Sequence, residues 1–151
     1  MVYVLVAAGI FIADLMIKNR IEKTEKQGGS RRIFGGRLLL RRHHNKGFIL
    51  NKGSGRQWLV AACSLVLVLL CTVCFIVSLG NRGSALLRTG LAVLLGGAYN
   101  NTYDRLKRRY VVDYISFPVK WKRFSDIVFN LSDFCIAAGA FLCCLAEIVK
   151  M

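Results

Sequence analysis

The sequence predicts an all-α membrane protein of four transmembrane helices, and three observations carry that prediction. Apolar residues make up 55% of the 151-residue chain, at a mean hydropathy of +0.47, more than the core of one domain of this length requires. They are bunched into four runs, Val2 to Ile17, Trp58 to Leu79, Ser84 to Tyr99 and Ile127 to Val149. The basic residues, which give a formal charge of +14, fall mostly in the connections between those runs.

The second run holds 22 residues without a charge, and about 20 suffice to cross the hydrocarbon as helix. Lipid offers the backbone no hydrogen-bond partners, so each run must satisfy its own and is read as a helix. The spans are expected at about residues 2–18, 57–79, 84–104 and 127–149, in a single domain covering 1–151. No basic residue precedes the short first run and no small-x-small cleavage site follows it, so it reads as an uncleaved anchor rather than a secretory signal. Gly80 to Gly83 form the tight connection between the second and third spans.

A charge of +14 in a soluble protein points to nucleic acid, but no module of interleaved basic and aromatic residues is present. Basic residues lying between membrane spans fit anionic lipid headgroups instead. The six cysteines all fall inside apolar runs. Cys71 and Cys74 form a C-x-x-C, yet no second pair or histidine lies near to complete a metal site. These thiols are expected to be buried and inert, and no metal is expected. His43-His44 reads as a solvated or headgroup-facing pair, and Trp58 and Trp121 as interfacial anchors.

Four spans put residues 18–56 and 104–126 on one face of the membrane by parity, and the unusual polar residues gather at that face. Asp14 and Lys18 close the first span four residues apart, on one helical face, and read as structural. Asn101, Asp104 and Arg105 close the third, with Asp104 and Arg105 bracing the helix end as a local pair. Asn130 and Asp133 open the fourth. Asp113 follows the third span within the apolar stretch "YVVDYI". Asp133 has no basic neighbour at helical spacing, and Asp113 sits between two valines and Tyr114-Ile115. Ionisable groups at membrane depth are costly and usually have a partner or a task. Two aspartates brought together cannot easily both ionise. Such a pair suits peptide hydrolysis, one acid activating water while the other polarises a carbonyl, or a proton or ion relay. The residues alone leave both chemistries open.

Five segments, in order, resemble the motifs of signal peptidase II, the bacterial lipoprotein signal peptidase family. They are "DLMIK" at Asp14 to Lys18, "NKGF" at Asn45 to Phe48, "GGAYNNTYDR" at Gly96 to Arg105, "VVDYI" at Val111 to Ile115, and "FNLSD" at Phe129 to Asp133. They span nearly the whole chain. The resemblance implies an intramembrane aspartyl endopeptidase that removes signal peptides from diacylglyceryl-modified prolipoproteins, cutting before the lipidated cysteine. Asp113 and Asp133 are then the catalytic pair, and Asn45, Asn101, Asp104, Arg105 and Asn130 the supporting residues. Asp14 and Lys18 stabilise the fold behind them. The resemblance further implies no cofactor, a globomycin-type inhibitor, and a small β-rich extracytoplasmic element at about residues 25–56, between the first and second helices.

Three departures from the family pattern stand out. Phe48-Ile49-Leu50 is bulkier than usual after the Asn-x-Gly stretch, which fits a reshaped groove or an inactive scaffold relative. Ser132 replaces alanine, which places a hydroxyl beside the acid pair. Asn100 stands where glycine is common. Orientation sets two rules against each other. Of the 22 basic residues, 19 lie on the face that carries the polar residues, and the positive-inside rule would make that face cytoplasmic. The family resemblance places it outside, with both termini cytoplasmic, in the bacterial cytoplasmic membrane. Five ordered motifs outweigh a statistical charge bias, and the basic loops then lie along anionic outer-leaflet headgroups. A proton-coupled transporter or channel subunit is the rival reading.

Overall fold

The computed structural model describes residues 1–47, 54–80, 84–119 and 126–149. In chain order its elements are α1 (Val2–Thr24), β1 (Ser30–Ile33), β2 (Leu38–Asn45), α2 (Gln57–Gly80), α3 (Ala85–Lys107), β3 (Val111–Ser116) and α4 (Leu131–Ile148), with short 3-10 turns at Phe34–Gly36 and Ser54–Arg56. Phe48 to Leu50, the connection at 81–83 and Trp121 lie outside the described residues.

Helix α3 is central and packs against α1, α2 and α4. Its buried residues run from Gly90 to Asp104, whereas α2 buries only Val60, Val68, Phe75 and Ser78. Leu67, Leu70 and Ile76 on α2 are 60%, 58% and 62% exposed. A continuous apolar face of this kind is unfavourable in water and marks a surface made for lipid.

Among the described residues three helices, α1, α2 and α4, are long and apolar enough to cross a membrane by length and composition. The sequence led to an expectation of four. Helix α3 falls short because it carries Arg88, Asn100, Asn101, Asp104, Arg105 and Lys107. Its neighbours cover it, so it need not match lipid along its length. Helix α1 continues past Lys18 to Thr24, beyond the apolar run, because Ile21 is buried against Val112 and Tyr114.

The cysteines correct another expectation. Cys63, Cys74 and Cys144 are exposed and the other three half-buried, all as free thiols. The exposed three sit on outward apolar faces, while Cys71 and Cys143 pack against the core cluster of Phe75, Leu91, Ala92 and Leu95.

Small residues let the central helices approach closely, as is common between membrane helices. A Cβ added at Gly97 would lie 2.5 Å from the carbonyl oxygen of Ser132 on α4, and one at Gly96 would lie 2.8 Å from that of Ala7 on α1. Gly90 and Gly139 meet in the same way further along the α3–α4 seam.

The β-rich element is present, but it is completed from elsewhere in the chain. Strands β1, β2 and β3 form an antiparallel sheet in that order, so β3, from the connection between α3 and α4, supplies the third strand. The chain enters β3 through Arg109, whose φ of +68° is the left-handed conformation that often follows a helix end. β2 pairs with β3 through His43 opposite Asp113 and Asn45 opposite Val111, with an irregularity between Leu40 and His43. On its other edge β3 meets Phe129, whose N–H donates to the Ile115 carbonyl at 2.7 Å. Strand side chains alternate between faces. Val112 and Tyr114 pack into a core with Ile21, so Val111 and Asp113 face the other way, into a cavity.

The seam yields a test. Gly97→Ala should lower thermal stability in detergent by about 1–3 kcal/mol, the usual cost of overpacking. Gly9→Ala, where an added Cβ meets nothing within 4 Å, should leave the unfolding midpoint unchanged or slightly raised.

Candidate active site

The site is built outward from one ammonium group. The Lys18 side chain is fully buried, as are Asp14 and Asp104, whose Oδ2 atoms lie 3.2 and 3.1 Å from its Nζ. Lys18 also donates to Asn100 Oδ1 at 2.6 Å and to Asn101 Oδ1 at 2.8 Å. Asp104 is further engaged by Arg108 Nε at 2.9 Å and accepts the Val112 backbone N–H at 3.2 Å. Asp14 accepts the Tyr114 hydroxyl at 2.7 Å and the Ser132 backbone N–H at 3.3 Å, and the Ser132 hydroxyl as well. Helices α1, α3 and α4 and strand β3 thus converge on a single buried cluster.

In front of the cluster, three asparagine amides present their NH₂ groups to two carboxylates. Each amide is oriented by a donor on its oxygen. Asn101 Oδ1 faces Lys18, so its Nδ2 donates to Asp133 Oδ1 at 2.9 Å. Asn130 Oδ1 accepts the Asp133 N–H at 2.9 Å, so its Nδ2 donates to Asp113 Oδ1 at 2.6 Å. Asn45 Oδ1 accepts the Gly47 N–H at 3.0 Å, and its side chain also hydrogen-bonds Asp113. Asp133 Oδ2 accepts the Asn130 backbone N–H at 3.0 Å. Asn130 and Asp133 therefore form the capping box of α4, which satisfies two otherwise orphaned donors. Both Asp133 oxygens accept N–H groups, the pattern that suits an ionised carboxylate.

The two acids line one cavity of about 310 Å³, together with Asn45, Asn101, Arg105 and Phe129. Burial pushes the Asp113 carboxyl up to about 7, with the charge of Asp133 adding to the rise and the bonds from Asn130 and Asn45 opposing it. Arg105 lies within electrostatic reach of Asp113, Asp133 and Asp104, and its Nη2 reaches the Gly47 carbonyl at 3.5 Å. Asp113 and Asp133 thus stand within electrostatic reach of each other and of Arg105, in a cavity otherwise lined largely by apolar side chains.

Asn45, Asn101, Arg105, Asp113 and Asp133 meet at this cavity, and Asn130 bridges the two acids from behind. Asp14, Lys18 and Asp104 lie in the cluster that backs it. Asp104 corrects one expectation. Its ion-pair contacts are Lys18 and Arg108, because α3 turns its carboxylate inward while Arg105 reaches toward the cavity. Ser132 corrects another. Its hydroxyl turns away from the acid pair to Asp14, since adjacent helical residues point about 100° apart. His44 is not a solvated side chain, for it bonds Glu22 at 2.7 Å and stacks on Tyr110 at 3.9 Å.

Asn100 and Tyr114 belong to the cluster and were not singled out as site residues from sequence. A second amide beside Asn101, and a phenol beside a candidate acid within an apolar stretch, were the signals available.

These features define a helical membrane protein with a paired-acid cavity backed by a buried ion cluster. Residues 6–149 match the family model described as signal peptidase (SPase) II, and the chain belongs to that family, whose members are proteases. It is 31% identical over 144 residues to the lipoprotein signal peptidase of Caldicellulosiruptor bescii, covering 94% of this chain and 87% of that one. The Lactobacillus johnsonii lipoprotein signal peptidase is 31% identical over 140 residues, covering 93% and 87%. A bacterial membrane enzyme solved by the in meso method at 2.3 Å superposes with a TM-score of 0.82 at 22% identity, over 99% of this chain and 88% of that one.

The raised Asp113 pKa has a consequence for stability. A carboxyl that holds its proton more tightly when folded contributes stability fully below its unfolded pKa of 3.8 and loses it as pH rises toward about 7. Wild type should therefore lose on the order of a few kcal/mol across that window. Asp113→Asn, which cannot ionise, should flatten the decline, and unfolding midpoints in detergent from pH 4 to pH 8 would show it.

Proposed function

We propose that this protein is an intramembrane aspartyl endopeptidase that cuts diacylglyceryl-modified prolipoproteins just before the lipidated cysteine. The observation that carries the reading is the meeting of Asp113 and Asp133, from separate elements, at one cavity with Asn130 bonded to both. Asp133 acts as general base and takes a proton from the attacking water. Asp113, protonated near neutral pH, donates a hydrogen bond to the scissile carbonyl. As the tetrahedral centre collapses, the proton passes to the departing nitrogen of the modified cysteine. Arg105 offsets the negative charge that develops on the carbonyl oxygen. Asn45, Asn101 and Asn130 hold the acids in place, and Asp104, Asp14 and Lys18 brace them.

A second cavity, of about 280 Å³, supports entry of a lipid-anchored substrate from the bilayer. It is lined by Leu67, Val68, Cys71 and Leu94, and shares Asn101, Arg105 and Ile136 with the acid cavity. An acyl chain or apolar signal segment fits that lining. Four helices cross the bacterial cytoplasmic membrane in this reading, α3 enclosed by the other three. Both termini are cytoplasmic, and the acids and sheet lie toward the outer face. Anionic headgroups there engage the basic loops, and a globomycin-type inhibitor occupies the acid cavity.

Purified protein in detergent should cleave a diacylglyceryl-modified precursor before the modified cysteine. Asp113→Asn and Asp133→Asn should each lower kcat by about 10³-fold or more. Failure of folded wild type on several precursors, with ion flux in proteoliposomes, would favour a relay instead. An unchanged biological role for both variants would favour a scaffold. A reporter fused after residue 30 should be extracytoplasmic, and a cytoplasmic readout would overturn the orientation.

A further inference from the structure

The residues directly beside the two acids are held by one carboxylate. Tyr114 follows Asp113 on β3, and Ser132 precedes Asp133 on α4. Asp14 Oδ1 accepts the Tyr114 hydroxyl at 2.7 Å, while Asp14 Oδ2 accepts the Ser132 hydroxyl. The Tyr114 oxygen also accepts the Leu131 N–H, from the first turn of α4, at 3.1 Å. Asp14 and Ser132 are fully buried and Tyr114 is 3% exposed.

We propose that Tyr114 and Ser132 are positioning residues which, through the shared carboxylate of Asp14, set the separation and relative orientation of Asp113 and Asp133. The inference rests on the peptidase reading for its catalytic consequence, but its geometric content does not. On a strand, fixing one side chain on one face fixes the pitch of its neighbour on the other. With the Tyr114 hydroxyl anchored behind β3, Asp113 is aimed into the cavity. On α4 the same holds for rotation about the helix axis, since Ser132 and Asp133 point about 100° apart.

The two hydroxyls are not needed merely to neutralise Asp14. Lys18 Nζ already lies 3.2 Å from its Oδ2, and the Ser132 backbone N–H reaches the same oxygen at 3.3 Å. The two side chains that neighbour the acids each add a contact, one to each oxygen. A carboxylate gripped in this way acts as a spacer between β3 and α4. An acid pair that shares a proton is sensitive to such a spacer, because its two titration steps depend on how strongly the charges interact. A small misplacement of reacting groups also costs rate far more than binding.

The test uses Tyr114→Phe, Ser132→Ala and the double variant of the full chain in detergent, each deletion removing a single oxygen. With a lipidated precursor, the double variant should lose about tenfold in kcat while KM stays within about twofold. The singles should be non-additive, because both act through Asp14. Separately and without substrate, infrared titration of the carboxyl band follows the acid pair, assigned with Asp113→Asn and Asp133→Asn. Arg105 on α3, Lys18 and Asp14 on α1, and His43 opposite Asp113 in the β2–β3 register are left unchanged in all variants. The interval between the two titration steps should narrow in the double variant as the acids part. Should the double variant not fold, the singles give the same readings at smaller amplitude. Wild-type kcat and an unmoved titration interval would overturn the inference, as would a rise in KM at constant kcat. If wild type cleaves nothing, the peptidase reading fails, and the infrared arm still decides whether the hydroxyls set the spacing.

Discussion

The buried ammonium of Lys18 is the constraint on which the rest of the structure depends. An uncompensated charge in a protein interior costs several kcal/mol, so the fold must bring oxygens to it from wherever they can be had. It does so from two elements. Asp14 comes from the same helix, and Asn100, Asn101 and Asp104 come from α3. Arg108 then balances the second carboxylate. Two cations and two anions close the local charge, and their leftover lone pairs recruit Val112, Tyr114 and Ser132. The cluster that neutralises Lys18 is therefore also what locks strand β3 and helix α4 into place. Asn101 carries this order forward, since the oxygen that meets Lys18 leaves its nitrogen no choice but Asp133.

Much of this was legible in the chain, and the parts that were not share a cause. Asp14 and Lys18 stand four apart on a helix, so their pairing follows from periodicity alone. Asp113 and Asp133 could be singled out because one interrupts an apolar stretch and the other opens an apolar span with no basic neighbour at helical spacing. Of the partners of Asp104, Arg108 stands four residues on and follows from the same periodicity, whereas Lys18 is reached only after α1 and α3 pack. The role of β3 was hidden for a similar reason. "YVVDYI" looks like a hydrophobic connection until β2 lies alongside it, and its alternation then divides Val112 and Tyr114 from Val111 and Asp113. Local pattern exposes what one element does by itself, and the site is made where elements meet. Helix α3 shows the converse. Its polar residues weaken its signature as a span because its neighbours, rather than lipid, are its solvent.

Two kinds of surface follow from that architecture. Helix α2 presents Leu67, Leu70 and Ile76 outward and buries few residues, so its outer face answers to the medium around it. The α3–α4 seam answers to backbone atoms at van der Waals limits. The acid cavity lies beside that close-packed seam and shares Asn101, Arg105 and Ile136 with an apolar groove against α2.

The capping box of α4 bears on the order of biosynthesis. Asn130 and Asp133 close the first turn of the helix and, by the same bonds, orient one of the two acids and touch the other. Helix initiation and completion of the site are thus a single event, and it belongs to the element that follows α1, α2 and α3 out of the ribosome. A nascent chain with three helices inserted holds Asp113 without its counterpart. The cavity that holds the two acids is therefore complete only when the last helix has docked.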